Sequence, residues 1–171
     1  MIIDALLSFV PVGGNLSLIG AAGVAIPTNI IDLLGEGVGL APTNIIGNVA
    51  IFGSPDAMGV GAARPELVVN IGIAAATANA ATLNLAFQAA PDLGATGNYQ
   101  PGTWSTLAET GTIAAANLTA NTQIARFPWL PPFPANLRPR YLRLLAQIAT
   151  GTNFTAGTIA VASVTTVRDD L

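Results

Sequence analysis

The chain lacks the residues on which most enzyme chemistry near neutral pH depends. It contains no cysteine, no histidine and no lysine, and all six of its basic residues are arginine. Without cysteine, disulfides and thiolate metal sites are excluded, and without histidine the usual general base is missing. The nine acidic residues are scattered, and nothing in their spacing selects a pair for hydrolysis. The sequence therefore predicts a protein that is not an enzyme, with no catalytic residues, no cofactor and no bound metal.

Charge of either sign is also scarce. Charged residues make up 9% of the 171-residue chain and hydrophobic residues 51%, whereas about 25% charged residues is usual in a soluble domain. The net charge of −3 does not favour nucleic-acid binding. Either threonine, asparagine and glutamine keep the surface hydrated, or partner proteins bury much of it. We favour burial by partners, because soluble monomers rarely expose large apolar patches.

Two long stretches without charge raise the question of a membrane. Residues 5–31 and 144–167 each exceed the roughly 20 residues that span a bilayer. Glycine, proline and asparagine interrupt the first stretch, and polar residues such as Gln147 and Asn153 interrupt the second. Asp4 stands where a signal peptide would carry basic residues. The sequence therefore predicts neither a membrane partner nor a secretion signal.

Alternation of apolar and polar residues, the pattern of half-buried strands, dominates the chain beyond residue 65. It predicts strands at 66–74, 82–89, 104–109, 122–127, 140–148 and 158–167, separated by glycine- and proline-containing turns. Ile159, Val161 and Val167 are predicted to share one face of the last strand. We expect an all-β, antiparallel, jelly-roll-like sandwich. Its predicted core contains Leu67, Val69, Ile71, Ile73, Leu83, Leu85, Phe87, Leu142 and Leu144.

Residues 1–62 have a different texture, because they are apolar, rich in glycine and proline, and only weakly periodic. We interpret them as an extended N-terminal segment with loops and short strands, joined to a sandwich at 63–171 in one domain. We expect this segment to act as an interaction arm that is ordered by contacts outside its own unit. The sequence Pro-Thr-Asn-Ile-Ile occurs in it twice, at 27–31 and 42–46, and suggests a turn followed by a short strand.

Two segments in the second half contain candidate contact residues. A proline-rich stretch at 127–134 carries Trp129 and Phe133. It fits either a groove-binding proline motif or, as we favour, a rigid loop whose aromatic side chains cap the sandwich.

Arg138, Arg140 and Arg143 supply half of the basic charge. They fit either contact with an acidic partner or pairing with Asp169, Asp170 or Glu109. The two interpretations stay open for Arg143, and internal pairing is favoured for Arg138.

The order of four short motifs resembles that of the small capsid cement, or decoration, proteins of short-tailed bacteriophages. The motifs are Asn29-Ile30-Ile31-Asp32-Leu33, Leu67-Val68-Val69, Arg140-Tyr141-Leu142-Arg143-Leu144, and Thr155-Ala156-Gly157 followed by Val161. The resemblance covers roughly residues 25–170. The chain departs from the pattern in an apolar insertion at 33–62 and in the proline-rich stretch at 127–134.

The resemblance implies a jelly-roll-like protein that is made in the host bacterial cytoplasm and binds the outer surface of an icosahedral capsid in many copies. It implies the major capsid protein and copies of this chain, as a dimer or trimer, as partners, with no nucleic acid, membrane or catalysis. The candidate contact residues are Asn29, Ile30, Ile31, Asp32, Trp129, Phe133, Arg140 and Arg143. The alternative is a carbohydrate- or receptor-binding β-sandwich of a virion or cell surface, which would present an aromatic platform.

Overall fold

Strands account for most of the chain that the computed structural model describes, namely residues 2–10, 14–20, 25–32, 65–94, 100–128, 137, 139–149 and 152–166. A short 3₁₀ turn lies at Ala115–Asn117. The strands of the described residues are β1 (Ile2–Ser8), β2 (Leu16–Ser17), β3 (Ala25–Asp32), β4 (Pro65–Ile71), β5 (Ala76–Thr77), β6 (Thr82–Ala90), β7 (Ser105–Glu109), β8 (Ile113–Ala114), β9 (Gln123–Pro128), β10 (Tyr141–Ile148), β11 (Phe154–Ala156) and β12 (Thr158–Thr166). Within these residues, no helix is both long enough and apolar enough to cross a membrane.

The strands form two main antiparallel sheets and one small one. The first main sheet has the order β1-β12-β4-β9, with β2 beside β12, and the second has the order β3-β10-β6-β7, with β8 beside β6. The small sheet pairs β5 with β11. Eight of the described strands have five or more residues, namely β1, β3, β4, β6, β7, β9, β10 and β12. When these are numbered one to eight along the chain, the first sheet has the order 1-8-3-6 and the second has the order 2-7-4-5. This division is that of a jelly roll, which confirms the predicted all-β sandwich.

The core between the main sheets is apolar and contains the predicted residues with one exception. Leu67, Leu85, Phe87 and the other predicted side chains are at most 1% exposed, but Ile73 is 56% exposed. The reason is that β4 ends at Ile71, so the apolar alternation in the sequence outlasts the strand. Including Ile73 in the core was therefore wrong.

The predicted face of the last strand was also wrong. Ile71 pairs with Ile159 and Asn70 with Val161, so Ala160 is an extra residue that forms a β-bulge. The bulge shifts the alternation by one residue, and Ala162 and Val164 follow Ile159 into the core while Val161 stays partly exposed. Val167 lies outside the described residues.

The described parts of residues 1–62 belong to the sandwich itself. Strand β1 pairs with β12 in the first sheet, and β3 pairs with β10 in the second. Phe9, Leu18 and Ile31 are at most 1% exposed in the core. The predicted boundary near residue 62 therefore does not separate an arm from the sandwich in the described residues. The second Pro-Thr-Asn-Ile-Ile copy and the insertion at 33–62 lie outside them.

Candidate interaction site

Arg140 is held by two aspartates from different elements. It lies just before β10, where its Nε donates to Asp32 Oδ1 at 3.0 Å and its Nη2 donates to Asp32 Oδ2 at 3.0 Å. Its Nη1 donates to Asp92 Oδ2 at 2.7 Å. The side chains of Arg140 and Asp32 are only 13% and 6% exposed. The planar guanidinium thus ties the end of β3, the start of β10 and the turn after β6 together.

The electrostatics of this cluster keep Arg140 charged. Burial alone lowers the pKa of the Arg140 guanidinium, but the hydrogen bond to Asp32 and the nearby charges, mainly that of Asp32, raise it above its ordinary value. Asp92 also accepts hydrogen bonds from the backbone nitrogens of Gly94 and Gln100, at 2.9 Å and 3.1 Å. The cluster therefore uses its charges internally and stabilises this end of the sandwich.

Arg143 has a different environment on the outer face of the second sheet. Its guanidinium stacks over the Trp104 ring at 4.1 Å from the ring centroid, and its Nε donates to Gln88 Oε1 at 2.9 Å. Gln88 is held in turn, because its Nε2 donates to Thr106 Oγ1 at 3.1 Å. No carboxylate among the described residues lies within ion-pairing distance of Arg143. The pKa of Arg143 is lowered by burial.

Two of the other candidate contact residues are partly exposed and one is buried. Ile31 packs in the core at 1% exposure and so supports the sandwich. Ile30 lies on the outer face, where it packs with Trp104 against Ala90 and Tyr141. The backbone nitrogen of Asn29 donates to Phe9 O at 3.0 Å, which links β3 to the residue after β1.

Glu109 makes an internal contact, and the other residues named from the sequence lie outside the described residues. Glu109, a suggested partner of Arg143, instead accepts a hydrogen bond from Asn84 Nδ2 at 3.1 Å. Trp129, Phe133, Arg138, Asp169 and Asp170 lie outside the described residues.

A second feature was not predicted from the sequence: among the described residues, four segments at one end of the sandwich carry no charge. We call the segments 14–20, 72–81, 111–122 and 152–158 the charge-free end, because none of them contains an acidic or basic residue. Backbone hydrogen bonds join them. Leu18 N donates to Gly157 O at 3.0 Å, Ala75 N to Leu118 O at 2.9 Å, and Thr158 N to Ile73 O at 3.2 Å.

The charge-free end exposes uncharged side chains, which include isoleucines and alanines together with asparagines and threonines such as Asn79, Asn117 and Thr119. Ile19 and Ile73 are 59% and 56% exposed. The exposed alanines around them are Ala74, Ala76, Ala78, Ala80, Ala114, Ala116 and Ala120. The signal for this surface was present in the sequence as turns of alanine, threonine and asparagine without charge. Sequence alone could not show that the four segments meet.

The ion pairs of the described residues lie toward the other end of the sandwich. Glu66 at the start of β4 pairs with Arg126 near the end of β9. The Arg140 cluster lies where β3 ends and β10 begins. Among the described residues, the ion pairs thus lie toward one end of the sandwich, while the segments of the charge-free end carry no charge of their own.

Comparison with known proteins identifies a family for this chain. Within the described residues, no three histidine, cysteine, aspartate or glutamate side chains come together as a metal site. A search of curated proteins gives no match. The model of the Bbp16 family matches residues 21–163, a region that runs from just before β3 into β12 and includes Arg140, Arg143 and three of the four segments of the charge-free end. Because the match covers well over half of the sequence, the chain belongs to the Bbp16 family.

Proposed function

We propose that the protein is a capsid cement protein, which binds the outer surface of an icosahedral phage capsid and bridges major capsid subunits. The observation that carries this proposal is the charge-free end, with its exposed Ile19 and Ile73. The centres of protein interfaces are depleted of charged residues. The charge-free end therefore has the composition of a surface that a partner covers.

A cement protein needs a surface that a partner can cover, because it stabilises an assembled shell by binding to it. A subunit that binds the shell and not its dissociated parts stabilises the shell, by an amount that grows with the logarithm of its concentration relative to Kd. A subunit that touches two capsomers also gains from effective concentration, so each contact can be modest. A small, uncharged surface avoids the cost of removing charges from water on binding.

The carbohydrate- or receptor-binding alternative has less support in the described residues. Such a site would be expected to use exposed aromatic rings. The one aromatic residue in the segments of the charge-free end is Phe154, which is 1% exposed. One face of Trp104 is covered by Arg143. Neither residue offers a bare ring to a sugar.

The proposal is tested by adding purified protein to shells that lack it. We expect stoichiometric co-sedimentation with the shells and a higher melting temperature of the shells, without a change in their shape. Ile73→Glu should abolish both effects, because it places a charge in the apolar surface. Leu93→Glu is the matched control, because Leu93 is 73% exposed outside the charge-free end.

Two outcomes would contradict the proposal. The first is that shells with and without the protein melt together while the protein binds a specific glycan, which would favour the receptor-binding alternative. The second is that Leu93→Glu weakens shell binding as much as Ile73→Glu does, which would mean that the charge-free end is not the contact surface.

A further inference from the structure

We infer that Arg143 is a docking point for a single carboxylate, an aspartate or glutamate side chain of the partner protein. This inference rests on the proposed function for the identity of the partner, the capsid subunit. Its geometric basis is the setting of Arg143 on Trp104 and Gln88, which differs from that of every other arginine in the described residues.

The guanidinium of Arg143 is held in place, but only some of its hydrogen-bond donors have acceptors among the described residues. Trp104 supports one face of the planar group, and Gln88 accepts from Nε at 2.9 Å. Neither terminal nitrogen has a hydrogen-bond acceptor among the described residues. Two parallel N–H groups at the end of a fixed guanidinium match the two oxygens of a carboxylate.

Among the described residues, Arg143 has no internal counter-charge, which distinguishes it from the other two described arginines. Arg126 pairs with Glu66, and Arg140 pairs with Asp32 and Asp92. A partly buried cation without a counter-ion is unfavourable, and burial accordingly lowers the pKa of Arg143. A carboxylate from outside would supply the missing charge, and Arg143 would lose little further freedom on binding because Trp104 and Gln88 already orient it.

A protein carboxylate fits this site better than a phosphate or a nucleic acid does. Phosphate and nucleic-acid sites usually combine several cations. Among the described residues, no second free cation lies beside Arg143, because the neighbouring Arg140 is neutralised by two aspartates, and the chain has a net charge of −3. A single planar cation is matched by a single planar anion.

The position of Arg143 also allows one subunit to bind two neighbours. Arg143 lies five residues before Ile148, the end of β10 nearest the charge-free end. At about 3.4 Å per residue, this places it about 17 Å along the sheet from that end. A subunit with an apolar contact at its end and a carboxylate contact on its side has two separate surfaces, as a bridge between capsomers requires.

The test compares the affinities of variants for shells that lack the protein, measured by co-sedimentation at several salt concentrations. Arg143→Met should lower affinity at least about tenfold, as expected when one partner of a desolvated charge pair is truncated. It should also reduce the salt dependence of binding. Arg143→Lys should fall between Arg143→Met and the wild type, because lysine retains the charge without the two parallel donors. Arg126→Met makes the same change in net charge at a paired, exposed arginine, and it should stay within about twofold of the wild type.

The possible results separate the inference from the proposed function. If the wild type binds and stabilises shells but Arg143→Met binds equally well, the inference is wrong and the proposed function stands. If Arg126→Met weakens binding as much as Arg143→Met, net charge explains the effect and the inference is also wrong. If the wild type does not bind shells, the proposed function is wrong and the partner inferred for Arg143 is wrong with it.

A measurement on the free protein distinguishes docking from a purely structural role. We expect Arg143→Met to melt within about 4 °C of the wild type, because it loses a ring contact and one hydrogen bond but also removes an uncompensated charge. A much larger loss, with shell affinity lowered only in proportion to the unfolded fraction, would show that Arg143 acts through stability and would overturn the inference.

Discussion

Phe87 joins the two halves of the sequence within the core. The side chain is fully buried, with its ring edge-on to Phe9 at 5.9 Å between centroids and stacked with Phe127 at 6.3 Å. Phe87→Ala should lower the free energy of unfolding by about 3–5 kcal/mol, because it removes buried apolar surface and leaves a cavity. Urea denaturation measures this. Ile73→Ala is the control and should change stability by less than about 0.5 kcal/mol, because Ile73 is mostly exposed.

Arg140 gives a second prediction at the residue scale. Arg140→Met should destabilise the free protein by about 3–5 kcal/mol, because it leaves Asp32 and Asp92 without their shared cation in a partly buried site. Arg140→Lys should recover only part of this loss, because an ammonium cannot reproduce the two parallel hydrogen bonds to Asp32. Thermal or urea unfolding measures both. Equal stability of Arg140→Lys and the wild type would show that the two parallel hydrogen bonds of the guanidinium to Asp32 are not needed for stability.

The partners of Arg140 and Arg143 could not be predicted from the sequence. Arg140 and Arg143 are three residues apart and were treated as one cluster of candidate contacts. The structure gives them different partners, because Asp32 is 108 residues from Arg140 and Gln88 is 55 residues from Arg143. The acidic partners suggested from the sequence were Asp169, Asp170 and Glu109, whereas Arg140 pairs with Asp32 and Asp92. Which carboxylate reaches which guanidinium depends on the strand order.

At the scale of the elements, strand positions were predictable and registers were not. The periods of alternation located β4, β6, β10 and β12 to within about two residues at most ends. The bulge at Ala160 could not be predicted, because it depends on how β12 meets β4. A bulge also interrupts β3 opposite Arg143 and Leu145.

The bulge in β3 lies in the motif for which the sequence predicted a turn followed by a short strand. Pro27 lies inside this edge strand, not in a turn before it. Beside it, the hydroxyl of Thr28 donates to Leu144 O at 2.7 Å and accepts from Leu144 N at 3.0 Å. The side chain thereby satisfies backbone groups that the bulge would otherwise leave unpaired. The same hydroxyl also donates to the local carbonyl Asn29 O at 3.1 Å, so Thr28 bonds both to its own strand and across to β10.

Gly72 tests the packing around the bulge in β12. A Cβ at this position would lie 2.8 Å from Ala160 Cβ and 2.9 Å from Thr158 Oγ1. Gly72→Ala should therefore destabilise the protein by about 1–3 kcal/mol through overpacking, since Ala160 Cβ is fixed to the backbone. Gly20→Ala is the matched control, because its Cβ would meet only Ile148 Cδ1 and Ile26 Cδ1 at 3.9 Å. Urea denaturation should separate the two variants, and equal stabilities would contradict this account.

At the scale of the whole molecule, the strand order interleaves the two ends of the chain. The first sheet places β1 beside β12, and the second places β3 beside β10, so the described N-terminal strands are built into both sheets. The sequence could not predict this, because pairing between residues more than a hundred positions apart leaves no local pattern. The fold class was predictable because a period of two implies strands whatever their partners are. The charge-free end depends on the same long-range order.

This topology leads to a prediction about the free protein. The β3 strand forms its hydrogen bonds with β10, which in turn pairs with β6 in the middle of the second sheet. We therefore expect the paired amides of β3 to be strongly protected from hydrogen exchange in the unassembled protein, because they open together with the sheet that holds them. Hydrogen exchange with mass spectrometry, on peptides that cover residues 25–32 and 141–148, makes the comparison. If 25–32 exchanges quickly in free subunits and becomes protected only on shells, this part of the N-terminal region is an arm ordered by its partner. If both peptides are protected equally before assembly, the N-terminal strand is part of the stable sandwich, and the proposed shell contacts must come from the surfaces that this sandwich presents.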